Sequence, residues 1–90
     1  MRFDKRITAI RTDIASDYFK GLIRGRKFVK GKKYTVISSY SPLYSLKNSK
    51  LSTQLLYGEE CNVYETSNGW SWVQALRDGY VGYTPTKNLK

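Results

Sequence analysis

The 90-residue chain has no histidine, a single cysteine, two isolated prolines and no long apolar run. Without histidine there is neither a zinc constellation nor a Cys-His catalytic pair, which removes most hydrolase mechanisms. Cys61 cannot form an internal disulfide, and no cofactor or metal is expected. No stretch approaches the roughly 18 apolar residues of a membrane span. The N-terminus alternates charged and apolar side chains and lacks the apolar run of a signal peptide, so with Met1 as the native start the expected location is the cytoplasm. Pro42 and Pro85 stand apart, which excludes a proline-rich ligand, and there are no internal repeats or low-complexity segments.

What is present is ordinary globular composition, 40% apolar and 26% charged. That is enough for one modest core in one domain. The net charge of +9 is placed unevenly. Eleven Lys and Arg face three Asp up to Tyr34, whereas from Thr35 onward five basic residues face four acidic ones. A polyanion or an anionic surface would be drawn to the N-terminal third.

Along the chain, Asp13 is a candidate N-cap, and Ile14, Tyr18 and Leu22 recur at a spacing of four. This pattern predicts a short helix ending near Gly21 and packed through that stripe. Residues 20–33 carry Lys20, Arg24, Arg26, Lys27, Lys30, Lys32 and Lys33 with no acidic residue, and read as an extended, solvated connector. Gly31-Lys32 does not complete a phosphate-binding loop, because five residues separate Gly25 from Gly31 and Lys33 stands where Ser or Thr is required. From Tyr34 the pattern changes to short strands at Tyr34–Ser39, Leu43–Leu46, Thr53–Tyr57 and Cys61–Glu65. Asn48-Ser49-Lys50, Gly58-Glu59 and Ser67-Asn68-Gly69 supply the turns between them. The expected fold is mainly β: a small SH3-like antiparallel barrel over residues 34–90, with a lead-in over residues 1–33 packed on it.

The segment Gly69–Tyr83 holds both tryptophans and reads as a hairpin turning at Asp78-Gly79. Side-chain parity puts Val73 on one face with Ser71 and Ala75, and Trp70, Trp72 and Gln74 on the other. If Val63, Val73, Val81, Cys61, Leu43, Leu56 and Leu89 fill the interior, the opposite face is left with Trp70, Trp72 and Tyr64 or Tyr83. One tryptophan is expected to be covered by the lead-in and the other to line an amphipathic groove suited to peptides. Cys61 reads as a small core hydrophobe.

The series Thr53-Gln-Leu-Leu-Tyr-Gly-Glu59, Val63-Tyr-Glu65, Gly69-Trp-Ser-Trp-Val-Gln74, Asp78-Gly-Tyr-Val-Gly-Tyr83 and Leu89 resembles the bacterial SH3-like domain at the front of NlpC-type cell-wall peptidases. Among these it is most similar to enzymes that cut murein stem peptides between D-glutamate and the diamino acid. Asp4-Lys-Arg-Ile, Arg11-Thr-Asp-Ile-Ala15, Leu22, Phe28-Val29 and Gly31 resemble the lead-in of the same proteins. In that family the catalytic Cys and His lie in a separate, C-terminal domain, and the SH3-like domain borders the cleft and helps select stem peptides with a free N-terminal alanine. The resemblance thus implies a non-catalytic module whose partners are a murein stem peptide and an NlpC-type catalytic domain, in cis or in trans. It implies a chain that is either an excised domain or a short product keeping only the accessory module. It also makes Tyr80 and Tyr83 candidates for polar aromatic contacts beside Trp70 and Trp72, and Glu59 a candidate acid for the substrate amine. The alternative is a small basic barrel that binds single-stranded nucleic acid. Against it, the aromatic hairpin carries only Arg77 while the basic run lies elsewhere. A third reading is an interaction domain that docks the catalytic partner and touches no ligand.

Overall fold

A computed structural model of the chain describes residues 4–45 and 50–90. The expected turn at Asn48-Ser49 and the end of the expected strand at Leu46 lie outside the described residues. Within them no helix is long and apolar enough to cross a membrane.

The lead-in does not form the expected helix. Ile14–Ser16 is a short strand, β1, running parallel to β2, Lys27–Val29, and only one 3-10 turn follows it, Asp17–Phe19. The cap is Ser16, whose side chain accepts from the Tyr18 N–H at 3.3 Å, and not Asp13. The stripe dissolves with the helix: Ile14 is buried, but Tyr18 is 75% exposed and Leu22 60%. The physical reason is that Ile14, Ala15 and Ser16 are all buried in succession, which a one-faced surface helix cannot achieve. A helix this short is marginal by itself, so pairing with β2 wins. The basic connector is correspondingly less solvated than expected, since β2 and the start of the next strand lie inside it.

Six antiparallel strands make the main sheet: β3 Lys32–Thr35, β4 Tyr40–Tyr44, β5 Leu51–Leu56, β6 Glu60–Ser67, β7 Trp70–Ala75 and β8 Val81–Pro85, in the order β3-β6-β7-β8-β4-β5. The barrel expected from sequence is not closed, because β3 and β5 are edges. β3 stops at Thr35, where the C-terminal segment takes its pairing: Thr35 and Lys90 exchange backbone hydrogen bonds at 2.9 Å, and Val36 bridges Leu89. Asn68 (φ 52°) and Gly69 (φ 82°) join β6 to β7 as a two-residue turn, both in the left-handed conformation that a type I′ hairpin needs. The β7–β8 connection is longer than the expected tight turn. It runs from Leu76 to Tyr80, and of the Asp78-Gly79 pair only Gly79 has positive φ.

Two apolar clusters hold the sheet. Val36, Leu43, Leu55, Cys61, Val63, Val73, Ala75 and Leu89 form the first. Ala9, Ile14, Tyr64, Trp72 and Val81 form the second, between the sheet and the lead-in. Two sequence assignments change. Leu56 is 43% exposed and its neighbour Leu55, at 2%, fills the interior instead. Val81 belongs to the second cluster and not to the first. With two leucines side by side in β5, parity could not say which points inward.

Candidate functional site

The bulge in β6 builds the site. Val63 pairs with Val73 and Glu65 with Trp72, so Tyr64 is the extra residue. A bulge of this kind re-aims the side chains that follow it. Simple alternation would send Glu65 to the face of Val63, but here both Tyr64 and Glu65 reach the Trp72 side. Tyr64 lies tilted on Trp72 with ring centroids 5.5 Å apart.

The register then lines up Glu65, Trp72, Tyr83 and Tyr44 as directly opposed residues across β6, β7, β8 and β4. Directly opposed residues of an antiparallel sheet share a face at close range. Trp70, two residues before Trp72, extends the row with an edge-to-face contact to Tyr44 at 5.7 Å. Trp72 is buried, 3% exposed, beneath Ala9 and Ile14, whereas Trp70, Tyr44 and Tyr83 are half-buried.

Arg11 from the lead-in lies across this row. Its guanidinium stands 4.9 Å from the Trp72 ring centroid and 5.9 Å from that of Tyr83. Nη1 donates to Glu65 Oε1 at 2.7 Å and to the Tyr83 hydroxyl at 3.1 Å, while Nη2 and Nε bind the two Asp13 oxygens at 2.7 and 2.9 Å. The Asp13 bonds come first in pushing the Arg11 pKa up, and Arg11 in turn holds the Asp13 carboxyl below its ordinary value. This is a planar cation held by two carboxylates, a phenol and an indole face.

Sequence reasoning did not find Arg11 or Glu65. In the sequence the Arg11–Ala15 run stands out only as lead-in, and nothing there marks the bulge. Of the residues it did name, Trp70, Trp72 and Tyr83 come together on the row and two do not. Glu59 sits in the β5–β6 turn, where its carboxylate accepts from the Leu56 N–H at 2.8 Å and pairs with Arg77 at 3.0 Å. The Leu56 bond first, then Arg77, holds its pKa below the ordinary carboxylate value. Tyr80 packs against the first apolar cluster. Glu60, next to Glu59, accepts from the Leu76 N–H, so this end of the sheet is four residues, about 13 Å, along β7 from Trp72.

Cys61 is fully buried, and burial pushes its thiol up to about 11, which leaves it protonated and unreactive. Among the described residues no group of His, Cys, Asp or Glu could hold a metal ion.

Residues 45–89, covering β5 to β8 and the closing turn, match the family described as the bacterial dipeptidyl-peptidase SH3 domain. The chain belongs to that family. Neither a curated protein nor a solved structure gives a significant match. In this SH3 domain the matched residues include β6, β7 and β8, which carry Glu65, Trp72 and Tyr83, while Arg11 and the strands β1 to β4 lie outside them.

Proposed function

We propose that this SH3 domain is a non-catalytic accessory module of an NlpC-type cell-wall peptidase, and that it helps select murein stem peptides. The observation that carries the reading is the row Glu65–Trp72–Tyr83–Tyr44 with Trp70 at its end, where half-buried aromatic edges lie beside a carboxylate and a guanidinium. A stem peptide brings a free ammonium and carboxylates on a short chain. Glu65 and the Tyr83 hydroxyl suit the ammonium, Arg11 suits a carboxylate, and the Trp70 and Tyr44 edges suit the aliphatic parts. Glu65, beside Tyr83, takes the role of acid in this proposal, because it lies on the aromatic row whereas Glu59 lies at the other end of β7.

Titration of the 15N-labelled domain with L-Ala-γ-D-Glu-diaminopimelate tests the reading. The expected result is shifts at the Trp70 indole, Glu65 and Arg11, with Tyr83→Ala weakening binding by roughly tenfold, about 1.4 kcal/mol. No shifts on this row at millimolar peptide would sink it.

A second observation favours docking of the peptidase domain, in cis or in trans. Tyr40 and Leu56 are direct partners on β4 and β5, and with Ile37 and Tyr57 they are exposed apolar side chains at the β5 end of the sheet. Retained affinity of a Leu56→Ser, Tyr57→Ser variant for the catalytic domain would argue against this contact.

A further inference from the structure

The basic run acquires a shape that its sequence did not show. A shallow open groove of about 270 Å³ lies between the β2–β3 turn and β6, with Lys30 and Lys32 at its rim and Val29, Tyr34 and Tyr64 in its floor. Gly31 sets the turn against β6, since a Cβ there would lie 2.9 Å from both Asn62 Cβ and the Tyr64 ring.

The cations around this groove are uncommitted. Asp4 pairs with Arg6, Asp13 and Glu65 with Arg11, Glu59 with Arg77 and Glu60 with Lys33. Five of the seven acidic residues of the chain are therefore engaged by Arg6, Arg11, Lys33 and Arg77. Lys27, Lys30 and Lys32 are exposed and have no ion-pair partner among the described residues. Glu65 also borders the groove, but its carboxylate is turned to Arg11 at 2.7 Å.

We propose that this groove and the β2–β3 strands beside it bind a linear phosphodiester polyanion through its backbone charge. A single small anion would find only flexible lysines, whereas a chain of phosphates can engage Lys27, Lys30 and Lys32 in succession and release counterions at each. The ligand is one without bases to stack. Tyr64 is buried against Trp72 and Tyr34 is half-buried against the first apolar cluster, so little ring surface is left for successive bases to stack on. The groove meets the aromatic row at Tyr64 and Glu65, but its cations lie outside that row, so the proposal stands whether or not the row binds peptide.

The test is a titration of the full 90-residue chain with poly(glycerol phosphate), followed by 15N shifts and by affinity as a function of salt. The expected shifts are confined to residues 27–33 and 64–66. Lys30→Gln with Lys32→Gln should weaken binding about tenfold and reduce the slope of log K against log salt by roughly 1 to 2. Lys50→Gln with Lys87→Gln removes the same charge away from the groove and should change affinity by less than about twofold. Both pairs are exposed, and the 15N spectrum of each variant reports that it is folded. Three results would overturn the proposal: no binding at low salt, equal losses in the two double variants, or tighter binding of oligothymidylate with ring-proton shifts at Tyr34 and Tyr64, which would make the surface a base-stacking one.

Discussion

Replacing Arg11 by Met removes the cation and keeps most of the apolar stem that lies on Trp72. The side chain of Arg11 is only 20% exposed, and that of Glu65, left without its partner, is 37% exposed. The losses are a cation–π contact worth about 1 kcal/mol at a part-buried ring, a charged hydrogen bond to Glu65 of about 1.5 kcal/mol, and a hydrogen bond to the Tyr83 hydroxyl of about 0.5 to 1 kcal/mol. The Asp13 pair adds little, because Asp13 is 65% exposed. Overlap among these interactions brings the expected destabilisation to about 2 to 3 kcal/mol. For a domain of this size that lowers Tm by roughly 10 to 20 °C. Urea unfolding followed by tryptophan fluorescence reads the change, and a double-mutant cycle with Glu65→Gln isolates the pair. A loss below about 1 kcal/mol, or a cycle that is additive within about 0.3 kcal/mol, would refute the view that Arg11 fastens the lead-in to the sheet.

Gly82→Ala should cost about 3 kcal/mol, because its Cβ would lie 2.5 Å from the Tyr44 carbonyl oxygen and 2.9 Å from the fully buried Leu43, and β8 must then move off β4; a urea midpoint close to wild type would show that the strands can separate freely. Leu55→Ala should destabilise by about 2 to 4 kcal/mol and Leu56→Ala by less than about 1 kcal/mol, and equal effects in the melt would contradict the inward assignment of Leu55. Glu59 has a depressed pKa, so its stabilising contribution is present above the unfolded value of about 4.3 and is lost as pH falls through the folded value. Glu59→Gln should accordingly flatten the decline of stability below about pH 5, and an unchanged acid limb would remove Glu59 from the account.

The strands and most of the interior were legible because alternation is a short-range signal. Val63, Val73, Cys61 and Leu43 stand where parity put them, and Asn68-Gly69 turns where its two left-handed residues require. The lead-in was not legible in the same way. Its spacing of four at Ile14, Tyr18 and Leu22 mimicked a helix, while the deciding interaction was a parallel pairing with β2, a partner thirteen residues further along the chain. The site failed for a related reason. Tyr64 is an ordinary strand residue until the register across β6 and β7 shows it to be the bulge, and only then does Glu65 turn toward Trp72. Long-range register is a property of the assembled sheet, so a carboxylate placed by it leaves no local trace.

The second apolar cluster has a consequence for where this fold can be cut. Its members come from both sides of any boundary drawn at the start of β3: Ala9 and Ile14 on one side, Tyr64, Trp72 and Val81 on the other. A fragment beginning at Lys32 would keep all six strands of the main sheet yet present a bare indole and phenol to water, together with an unpaired Glu65. Such a fragment should self-associate or bind hydrophobic dyes where the 90-residue chain does not. The cooperative unit is thus larger than the stretch by which the family is recognised.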